Sequence, residues 1–194
     1  MGKSRSAKWQ DGVLLALLLI VAASAPACSS GVADPVPIGS RSPSASTLGQ
    51  PSDRAQLRGY VRKIDRYQHR ADSWDKEAAK AIKRVEDIGG WSSSLEKDCW
   101  RLSDQAENLA VEETLLEPPT SLTKAHGQLV SSWRDLSLVF SLLAKKVSRP
   151  DAPDATNTDR VNRLIQRAQE RAQNWRFAVR VQTRKLDVEV PWKW

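Results

Sequence analysis

At 194 residues the chain has the length of one domain, or one domain with tails. With 40% hydrophobic and 27% charged residues and a mean hydropathy of −0.50, it describes a soluble protein with one local exception. Two cysteines allow at most one bridge and exclude a disulfide framework, and a formal charge of +7 makes the chain mildly basic.

The exception comes first along the chain. Val13 to Ala25 is a nearly unbroken apolar run, shorter than the roughly 20 residues that a membrane-spanning helix needs. Lys3, Arg5 and Lys8 precede it, and small residues close it. A basic start, a short apolar stretch and a small-residue exit are the three parts of a secretory signal. The pattern predicts export with removal of residues 1–27, which lowers the formal charge from +7 to +5 by taking away three basic residues and Asp11.

The exit reads Ala25-Pro26-Ala27-Cys28-Ser29-Ser30-Gly31 and resembles the lipobox of bacterial lipoproteins. In that family the cysteine receives a diacylglycerol thioether and becomes the acylated N-terminus after cleavage. The resemblance therefore implies a lipid-anchored Cys28, the membrane as a partner, and a place at the cell membrane or envelope. Ala27 and Cys28 match the pattern; Ala25 stands where Leu is usual, and Pro26 departs from it. Ala25-x-Ala27 also satisfies the small-x-small rule of the ordinary signal peptidase, which would give a soluble secreted or periplasmic product. In that case Cys28 could reach Cys99 in an oxidising compartment, whereas lipidation leaves Cys99 without a partner.

Residues 28–52 are rich in Ser, Pro, Gly and Ala and contain no aromatic residue. Such a stretch cannot bury enough apolar surface to offset its ordering entropy, so the sequence predicts a disordered tether. From Asp53 the pattern becomes helical. Tyr60, Ile64, Tyr67, Ala71, Trp74, Ala78, Ala81, Val85 and Ile88 recur at steps of four and three, flanked by Leu57, Val61 and Ile82, and Gly89-Gly90 ends the run. A second segment opens with Ser93 and Glu96 at capping-box spacing and carries Leu95, Cys99, Leu102, Ala106, Leu109, Glu113 and Leu116 to a stop at Pro118-Pro119. The third runs Leu122, His126, Leu129, Trp133, Leu136, Phe140, Leu143, Val147 and closes at Pro150 and Pro153. The fourth, capped by Thr156 or Thr158, runs Val161, Ile165, Ala168, Ala172, Trp175, Val179, Gln182, Leu186 and stops at Pro191.

These stripes predict an all-α fold, an antiparallel up-down-up-down four-helix bundle over 53–194 with a 3.5-residue periodicity. The helices are placed at about 53–88, 93–117, 120–148 and 157–188. A three-helix bundle with a separate arm is the alternative.

Few residues carry a suggestion of chemistry. His126 and Glu113 both fall on core stripes, and a buried carboxylate must find a partner, an arginine or His126. They are the candidate polar core, read either as a small-ligand or metal site or as satisfied structural residues. Neither Glu-x-x-His nor Cys-x-x-Cys-His occurs, which removes the di-iron and covalent-haem patterns, and no cofactor is expected. Cys99 on a buried stripe reads as a small hydrophobe. In the fourth helix Arg163, Arg167, Arg171, Arg180 and Arg184 lie off the apolar stripe, as a surface for anionic lipid, an anionic polymer or an acidic partner, or as a plain solvated face. Nucleic acid is not an expected partner of an exported protein.

Eight tryptophans are many for this length; Trp74, Trp133 and Trp175 sit on stripes as core fillers. Leu115 to His126, with Pro118-Pro119 between two helices, is similar to a helix-Pro-Pro-helix-His element of helical bacterial lipoproteins of unknown function. The expectation is a non-enzymatic interaction or scaffold module of the envelope, with a ligand-binding bundle built on His126 and Glu113 as the alternative.

Overall fold

Apolar side chains at every third or fourth position give each segment one face that must leave water, and four such faces close on a common centre. In the computed structural model, which describes residues 52–87, 92–149 and 158–192, they do so as an all-α four-helix bundle. Its elements are α1 (Asp53–Asp87), α2 (Ser93–Thr114), a 3₁₀ turn (Thr120–Leu122), α3 (Thr123–Ser148) and α4 (Thr158–Lys185). The expected signal, Cys28, the tether up to residue 51, the Gly89-Gly90 stop, the loop at 150–157 and the last two residues lie outside the described residues. Among the described residues no helix is long and apolar enough to cross a membrane.

The helix ends follow local chemistry that the apolar stripes do not report. α2 is capped by Ser92, whose hydroxyl accepts from the Leu95 N–H at 3.4 Å, one residue earlier than the Ser93–Glu96 box expected. It ends at Thr114 rather than 117, with the Leu115 and Leu116 N–H groups turning back to the Glu112 and Glu113 carbonyls. Proline at 118 explains the early stop, because the residue before a proline is driven out of helical geometry. α4 ends at Lys185 in a Schellman cap: Asp187 takes a left-handed φ of 50°, and the Val188 N–H reaches the Thr183 carbonyl at 2.9 Å. That cap returns Val188 to the core and stops the helix before Pro191 is reached.

Contacts fix the directions of the helices. Arg84 at the end of α1 bonds Asp98 at the start of α2 at 2.5 Å, while Arg70, earlier in α1, pairs with Glu112 near the end of α2. Ser103 on α2 meets Ser137 on α3, Asp135 on α3 meets Arg167 and Arg171 on α4, and Tyr60 on α1 meets Trp175 on α4. All four neighbouring pairs therefore run antiparallel.

Packing is not uniform around the ring. α3 is the most embedded helix, with Leu129, Trp133, Leu136, Phe140, Leu143 and Val147 buried together with Val130, Val139 and Ala144 beside the stripe. It lies in close backbone approach to both α2 and α4, and α1 lies against α2. The backbones of α1 and α4 hardly approach one another. Large side chains fill the centre of the bundle. Midway along the bundle Trp74 stands edge-on to Trp133 at 5.4 Å and to Phe140 at 5.2 Å, and its indole N–H donates to the Leu102 carbonyl at 2.9 Å.

Gly127 lies within α3 on an exposed face, and a Cβ there would meet nothing within 4 Å. Gly127→Ala should therefore raise the unfolding free energy by about 0.5–1 kcal/mol in chemical denaturation, chiefly by restricting the unfolded chain.

Candidate functional site

Four core residues with polar groups meet toward the end where α1 and α3 begin and α2 and α4 finish. Tyr60, Glu113, His126 and Trp175 are each at most 6% exposed. The Trp175 indole N–H donates to the Tyr60 hydroxyl at 2.9 Å. The Tyr60 oxygen lies 3.1 Å from His126 Nδ1, and His126 Nε2 lies 2.9 Å from the backbone carbonyl of Glu113.

A carbonyl only accepts, so Nε2 carries the ring proton and Nδ1 is left as an acceptor for the tyrosine O–H. The order is then fixed: Trp175 donates to Tyr60, Tyr60 to His126, and His126 to Glu113. Burial pushes the His126 pKa below its ordinary value, against the opposing pull of the Glu113 carbonyl, so the ring stays neutral as the chain requires. Burial likewise raises the Tyr60 pKa.

His126 and Glu113 are thus brought together, but through the main chain. The Glu113 carboxyl turns instead to Trp133, whose indole N–H reaches Oε1 at 3.2 Å, and not to an arginine or the imidazole. Its other oxygen, Oε2, is buried and has no hydrogen-bond partner among the described residues. Burial pushes this carboxyl up to about 8, the Trp133 N–H working against the shift and Glu112 adding to it. At neutral pH Glu113 is therefore a buried carboxylic acid rather than a carboxylate.

A neutral imidazole with both nitrogens occupied can ligate a metal or take a proton only by breaking a bond. Among the described residues no group of three or more His, Cys, Asp or Glu side chains could hold a metal ion. Cys99 is fully buried, and burial first, then Asp98, pushes its thiol up to about 12. A bridge from Cys28 would require opening the core.

Two openings lie along the wide α1–α4 side. One, a cavity of about 70 Å³, is lined by Trp133 and Trp175 together with the polar Gln68, Asp75 and Arg176. Burial raises the Asp75 carboxyl to about 6, with Arg176 opposing the shift. The other is a groove of about 1020 Å³ between the start of α1 and the end of α4, where Arg54, Arg58, Arg62 and Arg184 face Asp187 and Glu189.

The five arginines expected as an anionic contact on α4 divide. Arg167 and Arg171 close on Asp135, a carboxylate only 6% exposed, through bonds of 2.5–2.9 Å, and Arg171 also reaches the Ser131 carbonyl at 3.3 Å. They are thereby committed to holding α4 on α3. Arg163 and Arg184 are exposed, and Arg180 is half-buried. The larger basic surface is on α1, where Arg54, Arg58, Arg62, Arg66 and Arg70 follow at every fourth residue and are all exposed. That spacing is plain in the sequence, but it sits on the far side of a strong apolar stripe. No protein-family model, curated protein or solved structure matches the chain.

Tyr60→Phe removes one group that serves two partners, taking the hydroxyl acceptor from the Trp175 indole and the donor from His126 Nδ1. It should lower the unfolding free energy by about 2–4 kcal/mol in denaturant titration. Glu113 has its folded pKa raised above the unfolded value, so the stability it permits is fully present below about pH 4.5 and is lost as pH rises toward about 8. Glu113→Gln, which mimics the neutral acid, should leave the melting temperature near pH 4 little changed and raise stability near pH 8.5 by about 2–4 kcal/mol.

Proposed function

We propose that this chain is an exported, lipid-anchored helical bundle that acts as a non-enzymatic interaction or scaffold module of the cell envelope. Its address comes from the basic, apolar and small-residue order of residues 1–27, the Cys28 that follows, and the Ser/Pro/Gly-rich stretch leading to Asp53. The groups best placed for acid–base or nucleophilic work are engaged or silenced. His126 has both nitrogens occupied, and the Cys99 thiol is buried and protonated. Interaction is left to the surface, and one observation carries that reading. Large apolar side chains stand out from the folded body: Leu115 is 79% and Val111 50% exposed on the α2 end, and Phe177 is 69% and Val181 43% exposed on α4. Phe177 and Val181 are one turn apart on one helix face, the spacing at which a partner takes hold of a helix.

The anchor is tested by intact mass of the protein extracted from its native membrane, where an acylated Cys28 is expected as the first residue. A mature N-terminus without acyl mass sinks that part. Cross-linking in the native envelope and capture of the full chain should return a defined partner. Phe177→Ser with Val181→Ser should cut its recovery about tenfold while helix content stays unchanged. Turnover of an envelope substrate by the purified protein would overturn the non-enzymatic reading.

A further inference from the structure

The first turns of α1 are built against the usual rule for helix surfaces. Like charges one turn apart disfavour a helix. Yet residues 54–70 carry Arg54, Arg58, Arg62, Lys63, Arg66 and Arg70, with Asp65 as the single acid among them. The two ends of this ladder are tied down, Arg54 to the Asp187 carboxylate at 2.8 Å and carbonyl at 2.7 Å, and Arg70 to Glu112. Arg58, Arg62 and Arg66 are exposed and make no ion pair among the described residues. Beside them Ser52, Ala55 and Gly59 leave a trough of about 340 Å³ flanked by Arg54, Arg58 and Arg62. A Cβ on Gly59 would meet nothing within 4 Å, so the trough is open to a ligand. Arg184 joins from α4 across the larger groove, giving four arginines against two carboxylates there.

We propose that this arginine ladder and its trough form a docking surface for the phosphate headgroups of an anionic bilayer. The proposal rests on the anchored reading given above. Guanidinium groups bond phosphate oxygens in pairs and give up their hydration more readily than ammonium groups, which suits arginine to a lipid phosphodiester.

The choice of a bilayer over other polyanions comes from connectivity. The chain that starts at Cys28 joins the folded body at Ser52, and Ser52 itself lines the trough. Fully extended, that stretch spans at most about 86 Å. A random coil of that many residues has a mean span of about 27 Å, roughly half the length of α1. An anchor at Cys28 therefore keeps the ladder, on average, nearer the bilayer than the opposite end of the bundle. Attachment turns docking into an intramolecular event at roughly millimolar effective concentration, so weak headgroup contacts suffice. Successive arginines climb the helix about 6 Å per step, and the ladder turns gradually around α1, which meets an extended array of phosphates better than a single bound ion.

The test uses the full chain in vesicles of phosphatidylcholine, alone or with about 30% phosphatidylglycerol, with arginines labelled by phenylglyoxal and read by mass spectrometry. In the anionic vesicles Arg58, Arg62 and Arg66 should react about fivefold more slowly relative to Arg134 on α3, and about 0.5 M NaCl should restore their reactivity. The variant carrying Arg58→Glu, Arg62→Glu and Arg66→Glu, with an unchanged thermal melt, should still float with both vesicles but lose protection at Arg184. Equal reactivity in the two vesicles, or protection that includes Arg134, overturns the docking surface. The same protection on neutral vesicles from inorganic phosphate assigns the trough to free phosphate, and from a soluble phosphodiester polymer to that polymer; both overturn the bilayer. Failure of the full chain to float with neutral vesicles overturns the anchor itself, separately from the fate of the arginines.

Discussion

One run of hydrogen bonds touches all four helices: from Trp175 on α4 to Tyr60 on α1, then to His126 on α3 and the Glu113 carbonyl on α2. Each bond has one possible direction, because the indole only donates and the carbonyl only accepts. A hydrophobic stripe tolerates a helix sliding by a turn, since one leucine replaces another. A donor–acceptor chain buried away from water does not, because each misplaced group would lose its partner at full desolvation cost. The cluster thus sets the relative height of four helices whose apolar faces alone leave it open.

The remaining asymmetry follows from which side chains stand between the helices. α2 and α3 approach closely across small residues such as Ala106, Ala110 and Ser103, the last bonded to Ser137. α1 and α4 are held apart by the tyrosine and tryptophan that join them. The cavity lined by Trp133 and Trp175 and the groove at the start of α1 both lie on that side. Exposed ion pairs lace α1 to α2, including Arg84–Asp98 and Arg101–Glu77, and such pairs contribute little individually. The buried Asp135, held by two arginines, is of another kind, since losing both partners would leave its charge buried and uncompensated.

Periodicity in the sequence carried the architecture. Four apolar stripes predict four antiparallel helices, and the stripe of α3 is buried from Leu122 to Val147 as the spacing requires. The ends were less legible, because they depend on single backbone groups. Ser92 rather than Ser93 caps α2, and Asp187 accepts the left-handed position that glycine usually fills. In α4 the inner position after Val179 is Thr183 and not Gln182, the drift expected when a straight helix of 3.6 residues per turn outruns a 3.5-residue repeat. The pairing of His126 with Glu113 was visible as two polar residues on core stripes. The roles of Tyr60 and Trp175 were not, since an aromatic residue on a stripe reads as filler until its polar edge has a partner. Likewise Asp135 lies off the heptad seam, and only the fold brings it to Arg167 and Arg171.

The thin backbone contact between α1 and α4 also bears on how the bundle could open. α2, α3 and α4 form a continuous unit in which α3 is gripped on two sides, while α1 is in close backbone approach only to α2. Release of α1 would break close backbone packing against α2 alone and leave a three-helix remnant. Such a fluctuation would uncover Trp74 and the Tyr60 hydroxyl together, and it would begin at the helix whose arginines already repel one another.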